Sequence, residues 1–355
     1  MHEEIKVIFV GFFHFTESFG LDVEFTLNNL EPQKDCDGNL YRFHAEHIQI
    51  RESSIKEEKK YDIIIDRGSC FFPYAIDIVP RMCFQSTYFV NNPWSFQYFL
   101  NNKYAGYGMA HDIGISVPKT YILPAKTHSM VLSQSHLFYH EFFDWKKIVT
   151  DIGFPCFIKP ANGKGGMGVR KIYDLQGLIA EYDKSDKEIL LVQSYVHSPH
   201  NWQVRCLCIG RQIIPIKYQF KKNDNAVYIQ DDNFLTEEQY QEIINISQVL
   251  NRLLGYEMNA VEFIIDEQGK PWAIDFNNPV PDARRAVLTD YYYTKYKNAL
   301  IQRIQEIASE HIPPNFIPNL DPYFAIAQLP ISRQEKFERA LQEARKFFYN
   351  TCSMN

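Results

Sequence analysis

Short apolar runs alternate with segments of mixed polarity along the first hundred residues. The runs at 5–13 (IKVIFVGFF) and 61–68 (YDIIIDRG) are rich in β-branched residues, which is typical of strands buried in a parallel sheet. A further strand ends at the turn within 86–93, and 94–114 has the length and mixed polarity of one helix that stops at Gly114. This pattern predicts an α/β domain.

The middle of the chain continues with short strands and two helices. Helices are predicted at 141–153 and 175–185. Strands are predicted at 115–123, 154–160, 169–174, 188–196, 202–210 and 212–220.

The segment 236–255 is the clearest helix in the sequence. Thr236 can cap its start, acidic residues fill the first turn, and Gly255 can end it. A hairpin follows at 259–278, turning at Asp-Glu-Gln-Gly. The proline-rich tail from Pro313 and its final helix are predicted to be an appendage.

Length and charge narrow the class of protein. At 355 residues the chain is long enough for two or three domains. Its 37 basic and 43 acidic residues give a net charge of −6, which disfavours broad binding to nucleic acid. No run reaches the roughly 20 apolar residues of a membrane helix, and the N-terminus lacks a signal-peptide pattern. We expect a cytoplasmic protein that binds neither membranes nor nucleic acid.

The spacing of the cysteines and histidines does not match that of a metal site. The seven cysteines lack the paired spacing of a zinc site or a disulfide framework, and Cys206 and Cys208 fit one buried strand face. The histidines at 128, 136 and 140 also lack a tight ligand spacing, so we expect them on a loop or helix surface.

A glycine-rich stretch, KPANGKGGMGV at 159–169, fits G-x-G-x-x-G. A dinucleotide-binding turn needs a helix directly after the glycines, but the next residues read as a strand. The spacing also fails the phosphate-binding loop G-x-x-x-x-G-K-[ST] and the kinase glycine loop. What remains is a β-hairpin whose tip can close over phosphates, or a glycine-rich surface hairpin without a ligand.

Three oxygen-bearing side chains lie across the late hairpin. Glu262 is on one strand, while Asp275 and Asn277 are on the other at a spacing that directs both to one face. Carboxylate and amide oxygens are ligands that Mg²⁺ prefers. The hairpin therefore predicts a metal site, against the alternative of acidic residues on a solvent-facing strand.

The order of four features in this sequence resembles the ATP-grasp superfamily of carboxylate–amine ligases. These features are the lysine before the glycine hairpin, the stretches LLVQSYV and VRCLCIG, and the acidic hairpin. The resemblance covers about 60–285 and is strongest to the branch with glutathione synthetase, D-alanine–D-alanine ligase and the ribosomal-protein glutamate ligase. It implies the ATP-grasp fold, an α/β (α+β) architecture in which two α+β subdomains clasp ATP. The expected domains are an N-terminal pre-grasp domain (1–118), a central subdomain with the glycine lid (119–196), a C-terminal subdomain with the metal site (197–312) and the helical appendage (313–355).

The resemblance also implies roles for individual residues. Lys103 and Lys159 would contact ATP phosphates, with Lys159 also near the adenine, and Arg205 would stabilise the transferred phosphoryl group. The lid would be formed by Gly163, Lys164, Gly165, Gly166, Met167 and Gly168. The adenine pocket would be lined by Gln193, Ser194, Tyr195 and Val196.

The metal acids depart from the family pattern without losing charge. Glu262, Asp275 and Asn277 would hold one or two Mg²⁺ ions, with Mn²⁺ as an alternative. The first acid is commonly Asp and the second commonly Glu, so the two lengths are exchanged here. Ser194 replaces a common glutamate, which puts the ribose contacts in doubt.

The implied reaction is ATP-dependent formation of an amide bond through an acyl phosphate. Its expected substrates are small amino-acid-like or peptide-like compounds. A homodimer is the candidate assembly. The alternatives are a grasp-fold small-molecule kinase and a nucleotide-binding scaffold without turnover. The candidates for binding a substrate carboxylate are Asp282, Arg284, Arg285 and Lys217. The first three also fit a salt-bridge group at a helix start, and Lys217 also fits a solvated position.

Overall fold

Three β-sheets organise the described part of the chain, each built from one stretch of sequence. The computed structural model describes residues 5–14, 18–100, 102–126, 144–162, 168–220, 226–314 and 318–349. Within these ranges, no helix is long and apolar enough to cross a membrane. The histidines at 128, 136 and 140 lie outside them.

The N-terminal sheet has the strand order β2-β3-β1-β4-β5 and is parallel except for β2. Its strands are β1 (Lys6–Phe13), β2 (Gln33–Lys34), β3 (Leu40–His47), β4 (Ile63–Asp66) and β5 (Tyr88–Val90). Helices α1 (Ser18–Asn28) and α2 (Pro73–Phe84) accompany it. The α/β prediction for this region is confirmed.

The prediction of a single helix at 94–114 is wrong, because the structure has two helices there. These are α3 (Pro93–Phe99) and α4 (Lys103–Asp112). Asn102 lies at the break with φ −125° and ψ 53°, and its side-chain amide donates to the Tyr98 carbonyl. Asparagine competes with the helical backbone for hydrogen bonds in this way, so it favours a helix end over a helix interior.

The central sheet is antiparallel, with the order β6-β9-β7-β8. Its strands and helices are β6 (Thr120–Leu123), α5 (Trp145–Ile152), β7 (Cys156–Pro160), β8 (Arg170–Ile172), α6 (Leu175–Asp183) and β9 (Leu190–Ser194). These elements enclose a core of their own that includes Leu123, Ile148, Ile158 and Leu178. The strand predicted from residue 115 begins only at Thr120, after Pro118, because proline has no N–H to donate to a ladder.

The C-terminal sheet is antiparallel, with the order β12-β11-β10-β13-β14. Its elements are β10 (Gln203–Ile209), β11 (Gln212–Phe220), β12 (Ala226–Ile229), α7 (Glu237–Leu254), β13 (Met258–Ile265) and β14 (Pro271–Asp275). The predicted ends of α7 are confirmed, since Thr236 and Gln239 form a capping box and Gly255 is left-handed at φ 69°. Cys206 and Cys208 are fully buried, as predicted.

Three helices complete the chain: α8 (Arg285–Ser309), α9 (Asp321–Gln328) and α10 (Arg333–Tyr349). Helix α8 shares one core with α1, a face of the N-terminal sheet and a face of the C-terminal sheet. Helix α10 packs against α7, and its Ala340 and Ala344 are fully buried in the core on the other face of the C-terminal sheet.

A buried polar network also joins the N-terminal and C-terminal sheets. Arg303 on α8 donates to Glu257 at 2.7 Å and to the Tyr88 hydroxyl at 3.0 Å, and Tyr88 in turn donates to Glu257. The Asn91 side chain accepts from the backbone N–H groups of residues 257 and 258 at 2.7 and 2.6 Å. The two sheets are therefore held together by apolar packing and by specific hydrogen bonds.

Candidate active site

Three charged side chains form a row across the C-terminal sheet. Arg205 on β10 lies opposite Glu262 on β13, and Glu262 lies opposite Asp275 on β14. Arg205 Nη1 donates to Glu262 Oε1. Further along β10, the alternate residues Leu207 and Ile209 belong to the core shared with α8, so the row is the polar end of an otherwise apolar face. The predicted pairing of Glu262 with Asp275 across a hairpin is confirmed.

The two carboxyl groups of the row differ in their electrostatic surroundings. Burial raises the pKa of Glu262, and this effect outweighs the opposing influence of Arg205. Burial also acts to raise the pKa of Asp275, but the nearby Lys103 and Lys159 outweigh it and leave this pKa below its ordinary value. Asp275 is therefore the more firmly ionised acid of the pair.

Two lysines from other elements approach the same row. Lys103, in the first turn of α4, places Nζ 3.5 Å from Asp275 Oδ2. Lys159, near the end of β7, places Nζ 3.1 Å from the Tyr107 hydroxyl of α4 and 5.1 Å from the centre of its ring. Burial lowers the pKa of Lys159, and the neighbouring acids Asp275 and Glu262 act in the opposite direction.

Arg205 has a buried donor left over. Among the residues that the structure describes, its Nε has no hydrogen-bond partner, although the atom is shielded from solvent. A buried donor without a partner costs about 1–3 kcal/mol, so such a group commonly serves a ligand. The neighbouring Glu262 carboxylate opposes the effect of burial and leaves the pKa of Arg205 raised, so the group is positively charged.

Asn277 lies two residues beyond the end of β14, not on the strand as predicted. Its side-chain oxygen accepts from the Tyr256 hydroxyl at 2.7 Å, and its amide nitrogen donates to the Phe99 carbonyl. Its own N–H lies 3.5 Å from Asp275 Oδ1. These bonds fix the chain after β14, while a second lone pair on the amide oxygen is left for another partner.

The structure describes the two ends of the glycine-rich stretch, but the tip of the stretch lies outside the described residues. This tip comprises Gly163, Lys164, Gly165, Gly166 and Met167. Gly168 has φ +77°, and a Cβ there would lie 2.7 Å from Pro160 Cγ, so the two ends of the turn are in contact. Strands β7 and β8 pair antiparallel on either side of it. A strand therefore follows the glycines, as predicted, and the dinucleotide-binding arrangement is absent here.

The predicted adenine-side residues lie at and just after the end of β9. Gln193 is buried and donates to Thr120 Oγ1 at 2.8 Å, and Ser194 Oγ accepts from the Lys119 N–H at 3.0 Å. The ring of Tyr195 lies 3.9 Å from Lys171 Nζ. Val196 is half-buried beside it.

The candidate residues for a substrate carboxylate form salt bridges. Arg284 pairs with Asp282, with Nη2 2.5 Å from Oδ2, at the start of α8. Arg285 pairs with Asp290 and Asp22 at 2.6 and 3.2 Å. This is the arrangement of a salt-bridge group at a helix start. Lys217 is paired too, since its Nζ lies 2.9 Å from Asp231 Oδ2.

Tyr107 is a site residue that was not predicted. Its hydroxyl donates to the Ile274 carbonyl, so it contacts both the Lys159 ammonium and the strand that carries Asp275. It lies four residues after Lys103 on α4, and positions i and i+4 share a helix face. That spacing is the signal that could have identified it.

Comparison with known proteins relates part of this chain to a known domain. Residues 122–275 match the RimK-like ATP-grasp domain. A D-alanine–D-alanine ligase of Geobacillus thermodenitrificans is 28% identical over 157 residues, which cover 38% of this chain and 43% of the relative. A D-alanine–D-alanine ligase B of Pseudomonas putida is 24% identical over 191 residues, covering 48% and 56%. The chain thus spans about half the length of the curated relatives it matches.

The solved structures agree in fold. The D-alanine–D-alanine ligase of Bacillus anthracis superposes with a TM-score of 0.57 at 15% identity, covering 87% of this chain and all of that one. The matched domain includes Lys159, Arg205, Glu262 and Asp275 and thus holds the whole charged row. Residues 122–275 thus match an ATP-grasp domain in sequence, and the superposed ligase shows that the chain shares its fold.

Proposed function

We propose that this protein is an ATP-dependent carboxylate–amine ligase. It phosphorylates a carboxylate to an acyl phosphate, which an amine attacks to give an amide, with release of ADP and phosphate. The observation that carries the proposal is the convergence of Lys103, Lys159 and Arg205 on the acidic pair Glu262 and Asp275. Three cations beside two acids suit a polyphosphate and a divalent ion.

The donor set fits a magnesium ion. Glu262 and Asp275 are cross-strand neighbours, and Asp275 is 38% exposed and held as a carboxylate. Carboxylates with an amide oxygen and phosphate oxygens are the usual ligands of Mg²⁺. Glu262, Asp275 and Asn277 would hold one or two such ions, with Mn²⁺ as an alternative. A bound ion there would offset negative charge on the phosphates.

The side chains of this site would position the reactants and neutralise charge. Arg205 Nε supports a role in contacting the transferred phosphoryl group, since this donor is buried and unused among the described residues. Lys103 and Lys159 would contact ATP phosphates, and Gln193 to Val196 would line the adenine pocket. Gly163 to Gly168, with Lys164, would close over the phosphates and exclude water from the acyl phosphate. This division of roles needs no side-chain nucleophile.

Amino-acid-like or peptide-like compounds are the substrates we propose. The relatives named as D-alanine–D-alanine ligases support this class. Asp282, Arg284, Arg285 and Lys217 remain candidates for binding a substrate carboxylate. A homodimer, a cytoplasmic location and the absence of nucleic-acid and membrane partners also remain predictions from the sequence.

A screen of amino acids and dipeptides for ADP release, with product masses measured in parallel, tests the proposal. The expected result is ADP release that depends on both a carboxylate and an amine, with a product that has lost one water relative to its two substrates. Asp275→Ala serves as the inactive control. A stable phosphorylated product formed without an amine would indicate a kinase instead. Nucleotide binding without ADP release, with any substrate pair, would indicate a scaffold.

A further inference from the structure

Two histidines and a glutamate meet at the carboxyl edge of the N-terminal sheet, where the ligase reaction needs none of them. One ligand atom from each of His14, Glu24 and His47 lies within 4.8 Å of the other two. His14 Nε2 is 3.1 Å from Glu24 Oε1, and the His14 and His47 ring centres are 4.6 Å apart. These side chains come from three different segments of the chain.

The fold explains why they meet. Strands β1 and β3 are parallel neighbours, with Phe12 opposite His47, so His14 and His47 both lie where these strands end. Helix α1 packs on β3 and brings Glu24 to the same place. A Cβ on Gly20 would lie only 2.4 Å from His14 Nε2, so this glycine allows the helix to approach the imidazole closely.

We propose that His14, Glu24 and His47 bind a divalent transition-metal ion of the zinc class. Imidazole nitrogen and carboxylate oxygen are zinc ligands, and three protein ligands with a water form a common zinc coordination. Ligand atoms around a tetrahedral zinc ion lie about 3.4 Å apart, a separation set by bonds of about 2.0–2.1 Å. The distance from His14 to Glu24 already matches this value.

The burial of the three groups also suits a bound ion. The His14 side chain is 2% exposed and that of Glu24 is 13% exposed, whereas His47 is exposed. Two ligands are therefore held in place by the protein, and the third lies on the side from which an ion can enter. Because the site uses no residue of the charged row, it does not depend on the proposed ligase activity.

A second group of potential ligands provides the competing explanation for any zinc binding. Cys36, Asp37 and His311 also approach one another, but all three are exposed. His311 already lies 3.3 Å from Asp35, whose side chain is 5% exposed, and 3.4 Å from Asp37, so its imidazole is paired with two carboxylates. We therefore place the ion at His14, Glu24 and His47, two of which are shielded from solvent.

Zinc titration of the full chain by calorimetry tests the proposal. The titration is run in excess Mg²⁺, which favours oxygen ligands and so occupies the acidic row. The wild-type protein is expected to bind about one equivalent of zinc at this histidine site. His47→Asn removes an exposed ligand without disturbing a core, and should weaken binding by about tenfold or more. Glu24→Gln should weaken it as well.

His44→Asn is the matched control, because His44 is also exposed on β3 but points to the opposite face. It should bind zinc as the wild type does. Circular dichroism establishes that each variant is folded. The proposal is overturned if the wild type binds no zinc, if His47→Asn binds it unchanged, or if His311→Asn abolishes binding while His47→Asn does not. The first result would leave His14 and Glu24 as an ion pair only.

Discussion

Arg205 and Glu262 lie directly opposite each other on neighbouring antiparallel strands and form the salt bridge at the centre of the charged row. We expect Arg205→Lys to lower the rate constant of ATP-dependent ligation by about 10²–10³-fold, because lysine keeps the charge but loses the buried Nε donor. Steady-state kinetics of ADP release measures the effect. A native rate constant in this variant would show that Arg205 does not contact the transferred phosphoryl group.

Lys159 and Asp275 lie on two different sheets and face the same proposed nucleotide site. Lys159→Ala and Asp275→Ala are each expected to abolish Mg²⁺-dependent ATP turnover in a folded protein, since in the proposed function one removes a cation that contacts phosphate and the other a metal ligand. Lys119→Ala is the matched control, because Lys119 is an exposed lysine paired with Asp151. ATP turnover at the native rate in either test variant would show that the site is wrongly assigned.

Lys159 should lose its proton at a lower pH than an ordinary lysine. Burial lowers its pKa from 10.5, and Asp275 partly opposes this effect. In the proposed function, phosphate binding by Lys159 therefore weakens as the pH rises through the lowered pKa. Removing the acid in Asp275→Asn should lower the pKa further, because an attractive negative charge is lost. An NMR titration of the Lys159 side chain measures both values, and an unchanged pKa in the variant would contradict the coupling.

Arg303 neutralises Glu257 at the junction of the N-terminal and C-terminal sheets. Arg303→Met should lower the free energy of unfolding by about 3–5 kcal/mol, because it leaves an uncompensated acid in a buried network. Urea denaturation measures the change. Lys295→Met, on the exposed face of the same helix, should change it by no more than about 1 kcal/mol. Equal effects of the two variants would contradict the role of the network.

The elements predicted from sequence are those whose signal is local. Apolar β-branched runs identify β1 and β4, capping residues identify α7, and period-two spacing pairs Glu262 with Asp275. Helices α1 and α8 were not predicted. Helix α8 carries buried tyrosines and Arg303, whose burial depends on partners far along the chain.

The residues of the candidate site also fall into those that the sequence identifies and those that only the packing reveals. Lys103, Lys159 and Arg205 were identified through the order of their motifs, and the structure brings them to the acidic pair. The contacts of Tyr107 and the hydrogen bonds of Asn277 depend on how α4 packs beside β14, and no local spacing encodes that packing. The arginines at the start of α8 show a different limit of sequence-based prediction, since their sequence is compatible with both a ligand site and a salt bridge.

The central sheet encloses its own apolar core, whereas the N-terminal and C-terminal sheets share one. Leu191 of β9 and Ala161 after β7 nevertheless belong to the core on the other face of the C-terminal sheet, so a hinge rotation of the central sheet would repack these two side chains while leaving its own core intact. Because Lys159 and Gln193 belong to the central sheet and Arg205 to the C-terminal sheet, such a rotation would widen or narrow the cleft between them. In the proposed function, the free energy of nucleotide binding would be coupled to a closure that repacks this small apolar contact.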